Sequence, residues 1–232
     1  FDDLGQEIFA VSNDNNLFKI DLSSKKIKMD KLSNNFFVSE ASWNSNLKTM
    51  LIADDRYLFN YDISQAQLIG SRNMFERIML ERKSFEHEIT ALDISTRNYE
   101  VAIGLSNGQV IIFSQDLTKE LHRFKVSNEE ISDLSYHPED QYLFVTDDAG
   151  KLYSYDRLKS NIISSIQGHT GSSIIKSFLT TDNKSVLISA GKDGFLHFWS
   201  LSDYVPDYNR IINQKLAALV EIFIRRRQEE TA

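Results

Sequence analysis

His169, Ser189 and Asp193 fall in one stretch of the chain, closed by Trp199, and histidine, serine and aspartate are the residue types of a nucleophilic triad. Used that way, the serine would have to face a substrate, and hydrogen-bond donors would have to wait for the oxyanion. The same types can also simply satisfy one another. A carboxylate accepts from an imidazole N–H, the second ring nitrogen meets a hydroxyl, and the hydroxyl oxygen accepts from an indole N–H, a donor that is costly to bury unpaired. Little other chemistry is on offer. The chain has no cysteine, which removes disulfides, thiolate catalysis and cysteine-based zinc sites. His87, His122, His137, His169 and His197 are scattered without close metal-ligand spacing, and there is neither a phosphate-cradling glycine loop nor a zincin motif. Asp54-Asp55 and Asp147-Asp148 sit in turn-like stretches where aspartate is ordinary. No metal or cofactor is expected.

The elements that must position these residues repeat along the chain. Pairs made of an aromatic or aliphatic residue and a polar one occur at Ile20-Asp21, Tyr61-Asp62, Phe113-Ser114, Tyr155-Asp156 and Trp199-Ser200, at spacings of 41, 52, 42 and 44 residues. Ahead of each pair run short segments rich in β-branched and aromatic residues, separated by Gly, Asn and Asp turns, which is the pattern of strands. In the fourth copy the strands are expected at Glu130–Tyr136, Gln141–Thr146, Lys151–Asp156 and Asn161–Gln167. In the third they are expected at Ile89–Ser95, Tyr99–Gly104, Gln109–Phe113 and Lys119–Val126, with Ser106-Asn107-Gly108 as a hairpin turn. In the first copy Glu7–Ser12, Leu17–Leu22 and Ile27–Leu32 follow, and in the second the outer strand is placed at Gln67–Arg72. Segments such as Val110–Phe113 and Phe195–Trp199 are apolar on both faces, so each small sheet must be covered on two sides.

A period of 40 to 45 residues, with Gly168-His169 before the last copy and Trp199-Ser200 at its end, resembles the WD40 β-propeller family over residues 1–201. The resemblance implies an all-β propeller with blades of four antiparallel strands. It also implies that His169, Ser189, Asp193 and Trp199 form a structural network rather than a catalytic set. About 18 strands amount to four and a half blades. An open ring exposes sheet edges and blade faces, so the chain is expected to be the C-terminal part of a longer one whose ring closes with seven blades. Phe1–Gln6 reads as a turn inside a blade.

Two segments stand out from the repeat. The 52-residue spacing marks an insertion at Asn73–Glu88, in which Met74, Phe75, Ile78 and Met79 could line one side of a helical turn while Glu76, Arg77, Glu81 and Arg82 solvate the other. Phe75, Arg77, Met79 and Arg82 are thus candidate partner contacts, and the alternative is a loop folded back on the propeller. Residues 202–232 form a second unit, in which Ile212, Leu216, Leu219, Val220 and Phe223 recur at helical spacing. Pro206 and Asp207 suit the start of a helix, and Arg225, Arg226 and Arg227 suit its end. This C-terminal α-helix either packs on its own propeller or offers Ile212, Leu216, Leu219 and Phe223 to a partner.

With 26 Lys and Arg against 33 Asp and Glu, the net charge of −7 opposes a general grip on nucleic acid. No apolar run is long enough to span a membrane, and the composition fits an intracellular setting. The function expected is a non-enzymatic scaffold or adaptor that holds other protein subunits in a multiprotein assembly. The alternative is a peptide receptor, either a ubiquitin-ligase substrate receptor or a reader of modified tails, which needs a charged or aromatic pocket at the central opening. The family's ligase-adaptor signature, WD followed two residues later by Arg, is absent: Trp199-Ser200-Leu201-Ser202 lacks it, and Tyr155-Asp156-Arg157 has its Arg one place early.

Overall fold

Alternating side chains along a strand point to opposite faces of a sheet, and in this chain both faces are apolar. In the computed structural model, which describes residues 6–12, 16–31, 38–44, 47, 49–62, 78–95, 97–139, 141–179 and 185–200, that pattern produces five small antiparallel sheets. The first holds β1 (Glu7–Val11), β2 (Asn16–Asp21) and β3 (Lys26–Lys31). The second holds β4 (Val38–Asn44), β5 (Thr49–Asp54), β6 (Tyr57–Asp62) and β7 (Ile78–Ser84). The third is built from β8 (Ile89–Ser95), β9 (Glu100–Leu105), β10 (Gln109–Ser114) and β11 (Glu120–Lys125). The fourth contains β12 (Ile131–Tyr136), β13 (Tyr142–Asp147), β14 (Lys151–Asp156) and β15 (Asn161–Gln167). The last contains β16 (Ser173–Leu179), β17 (Ser185–Gly191) and β18 (Leu196–Ser200). Each sheet is a simple meander, and the inner strands β4, β8, β12 and β16 lie beside one another in sequence order. The arrangement is a β-propeller of five blades of three or four strands.

The core is a stack of seams between blades. In β9, Val101, Ile103 and Leu105 face the second blade and pack with Leu51, Ala53 and Leu58, whereas Ala102 turns the other way and packs with Ile131, Leu134, Leu143 and Val145 of the fourth. Strand β13 divides likewise: Leu143 and Val145 pack toward the third blade, and Tyr142 and Phe144 toward Ile175 and Leu187 of the fifth. Leu17 of the first blade meets Met50, Ile52 and Phe59 of the second. Each such side chain, fully buried, contributes roughly 1.5–3 kcal/mol.

In the first and fourth copies the polar member of the repeated pair closes the hairpin that follows. Asp21 Oδ1 accepts the Ser23 and Ser24 amides at 2.8 and 3.0 Å, and Asp156 Oδ1 accepts those of Leu158 and Lys159 at 3.0 and 3.1 Å. In the third and fourth copies the residue after the pair reaches back to the preceding blade. Gln115 Nε2 donates to Asn44 Oδ1 at 2.6 Å, and Arg157 Nε donates to Glu100 Oε2 at 2.8 Å within a largely buried ion pair. Arg157, which the sequence comparison weighed against a ligase signature, is therefore an interblade clamp.

One strand is corrected. The strand paired to the outer edge of β6 in the second blade is Ile78–Ser84, and Gln67–Arg72, where the sequence pattern places it, lies outside the described residues. Met79 stands opposite Tyr61 in an antiparallel ladder, not on a helical turn, and Arg82 is opposite Phe59 with its guanidinium 4.2 Å from the Tyr57 ring centroid. Helical spacing loses here because β6 would otherwise present an unpaired edge. Phe75 and Arg77 lie outside the described residues, as does the C-terminal segment with Ile212, Leu216, Leu219 and Phe223; every described element is a strand. Elsewhere the expected strands agree with the observed ones to within one or two residues.

Close approach of blades is set in part by Gly104 on β9, where a Cβ would fall inside the Ile131 side chain of the next blade. Gly104→Ala is expected to destabilise the chain by about 1–3 kcal/mol through overpacking. In thermal unfolding this appears as a lower Tm, with the strand content of the folded state unchanged.

Candidate functional site

The four residues of the last copy come together. His169, in the loop between β15 and β16, places Nδ1 3.0 Å from Asp193 Oδ1 and Nε2 2.7 Å from Ser189 Oγ. The Trp199 indole N–H donates to the same Oγ at 2.8 Å. With Nδ1–H given to the carboxylate, Nε2 is left to accept the serine proton. Asp193 also accepts the amides of Thr170 and Phe195 at 2.9 and 3.1 Å, and these bonds, that of Thr170 above all, hold its carboxyl down at about 2. Ser189 is only 2% exposed, and its oxygen is taken up by the indole. A nucleophile needs the opposite: an open approach and a free line of attack. The geometry is that of a tie between the 168–172 loop, the 192–194 turn and the blade. Gly191 belongs to it, because a Cβ there would run into the His169 ring and Asp193; its fixed place beside the turn in Gly191-Lys192-Asp193-Gly194 is the sequence signal for that role.

A second cluster lies on the axis, where inner strands leave one edge uncovered. Carboxylates from one blade serve the backbone of the next: Tyr136 N–H donates to Asp93 Oδ2 at 2.6 Å, and Ile175 N–H to Asp133 Oδ2 at 2.7 Å. Lys176 Nζ stands 3.5 Å from Asp93 Oδ1. Glu40 of the second blade shares a cavity of about 510 Å³ with Asp133, Lys176, Ile175 and Leu196. Burial pushes the Glu40 carboxyl up to about 7, with the Asp133 charge adding to the effect, and burial likewise raises Asp133 to about 6 and Asp93 above its ordinary value. Sequence reading passed over these acids, since isolated Asp and Glu in strands carry no spacing signal.

Three inner strands share one irregularity. A β-bulge falls between Val38 and Glu40, between Ile89 and Ala91, and between Ile131 and Asp133. The extra residue is Ser39, Thr90 or Ser132, a hydroxyl each time. All three line cavities on the axis, together with Asp55, Glu88, Glu130 and Asp148. Among the described residues no group of three or more His, Asp or Glu is arranged to hold a metal ion.

Residues 1–206 match the model of one family, described as the nucleolar protein 10-like, N-terminal domain, a β-propeller. The chain belongs to this family. No curated protein matches it in a sequence search. The nucleolar protein 10-like match and the five-bladed architecture together support the WD40-type propeller that the repeat resembles.

Ser189→Ala takes the acceptor from the Trp199 indole and the hydroxyl partner from His169 Nε2. It is expected to cost about 1–3 kcal/mol and to lower the Tm by several degrees, as measured by circular dichroism; an unmoved Tm would refute a structural role. For Glu40, the folded protein binds more protons than the unfolded chain between about 4.5 and about 7, so this residue's contribution to stability falls as pH rises through that window. Glu40→Gln should therefore melt higher than the parent at pH 8 and no higher at pH 4.

Proposed function

We propose that this chain is a non-enzymatic scaffold subunit, a rigid propeller that holds other proteins of a larger assembly. The observation that carries the reading is the match of residues 1–206 to the nucleolar protein 10-like propeller model. The one constellation with catalytic residue types is buried and mutually satisfied, which agrees with it. The family description favours the nucleolus within an intracellular setting. In this reading the propeller spans 1–201 and belongs to a seven-bladed ring. The segment 202–232 forms a separate helix whose Ile212, Leu216, Leu219 and Phe223 contact a partner, and Phe75, Arg77, Met79 and Arg82 supply a further contact region.

The fifth blade supports a role in contacts. Ile174, Phe195, Leu196 and Phe198 are each more than half exposed on it, and an apolar face of that kind marks a surface meant to be covered.

Sedimentation of the natural protein in native extract tests the proposal. It is expected to run in an assembly with a fixed set of co-purifying subunits. A protein that sediments alone, or one that turns over a small molecule and is silenced by a single substitution, would overturn it.

A further inference from the structure

The end of the ring that carries the hairpins between second and third strands has a mouth on the axis, made by two adjoining cavities of about 410 and 490 Å³ that share Thr90 and Glu130. Every one of the inner strands β4, β8, β12 and β16 contributes at or near its start, so the mouth draws on four blades at once. Its charge is one-sided. Asp55, Glu88, Glu130 and Asp148 line it with Lys192 as the only cation among the described lining residues, a net of −3. Burial, and then repulsion from Asp148 and Glu88, raises the Glu130 carboxyl above its ordinary value.

Deeper than this rim the lining is polar and unsatisfied. Ser173 is 3% exposed, and its Oγ finds no hydrogen-bond partner among the described residues. The same holds for Ser39 Oγ and Thr90 Oγ1, two of the three hydroxyls turned to the axis by the bulges. A buried hydroxyl left unpaired costs roughly 1–3 kcal/mol. Three of them behind a ring of carboxylates amount to a set of acceptors aimed at a donor that carries positive charge. Ile174 also lines the cavity and is 65% exposed, which suits the aliphatic stem of a long cationic side chain.

We propose that this axial mouth is a receptor for a lysine- or arginine-bearing segment of a partner protein, whose cationic head passes the acidic rim and donates to the hydroxyls behind it. The inference rests on the scaffold reading and names what one of its surfaces takes. A polyanion such as RNA would meet four carboxylates, and a second copy of this chain would bring a net charge of −7; a basic segment is the occupant with complementary charge.

Fluorescence anisotropy on the full chain tests it, with a dye-labelled glycine-serine peptide carrying two arginines, its glutamate counterpart, and a uridine oligonucleotide as probes. The arginine peptide is expected to bind, more weakly as salt rises, while the other two probes do not. The double variant Glu130→Gln/Asp148→Asn should raise Kd by about tenfold or more with an unchanged melting curve. Glu120→Gln, far out on β11 and paired with Arg123, should leave Kd unchanged. Ser173→Ala should weaken binding with the rim charges intact. If the double variant does not fold, the single Glu88→Gln at the exposed rim carries the same expectation. Equal binding of the glutamate peptide or the oligonucleotide, an unchanged Kd in the rim variants, or an equal loss in Glu120→Gln would overturn the proposal. Failure here with the natural protein still sedimenting in its assembly removes this receptor alone, whereas loss of the assembly removes the scaffold reading itself.

Discussion

A strand buried on both faces needs a neighbour on each side, and everything else in this molecule follows from meeting that need with sheets too small to cover themselves. Val101, Ile103 and Leu105 turn toward one neighbour and Ala102 toward the other, from adjacent positions of a single strand. The seam between the third and fourth blades is closely packed, so a residue as small as Gly104 is fixed by what stands across from it. Radial stacking satisfies both faces at once, and it leaves each blade with an inner edge at the axis and an outer edge at the rim, where backbone groups still want partners.

The inner edges explain the buried charges. Asp93 and Asp133 accept amides from the neighbouring blade, which trades desolvation of a carboxylate for satisfaction of the backbone. The same economy appears at the far ends of the blades, where Gln115 and Arg157 occupy equivalent places and reach back to Asn44 and Glu100. On the fifth blade the loop at 168–172 is held by His169 through Asp193 and Ser189. Polar side chains thus join blades that apolar seams have already brought together, and they add direction to an attraction that has none of its own.

Much of this was legible in the sequence, for physical reasons. Period-two apolar patterning and turn residues fixed most strand positions to within a residue or two, because each strand answers to two seams and cannot slip without turning both faces over. The network of His169, Ser189, Asp193 and Trp199 was legible because these residues stand where the resemblance to the WD40 family places one, and residue types alone left a catalytic set open. The second blade was misread at Ile78–Ser84 because a sequence of mixed charge and apolar residues such as Ile-Met-Leu-Glu-Arg-Lys suits a helix as well as an outer strand, and only the open edge of β6 decides between them. The axial acids were invisible for a related reason: Glu40, Asp93 and Asp133 lie on different blades, and only curvature of the ring brings them near one another.

The bulges at Ser39 and Thr90, whose hydroxyls bond no neighbour among the described residues, bear on how such a ring changes over time. An extra residue in a ladder belongs to neither packing face, so its identity is uncoupled from the fit between blades. Exchange of a hydroxyl there for another small group alters what the axis offers without disturbing the seams. One framework can in this way diversify what its axis offers by drift at two positions, whereas Ser132, whose hydroxyl bonds the Ser173 carbonyl of the next blade, stays tied to the seam.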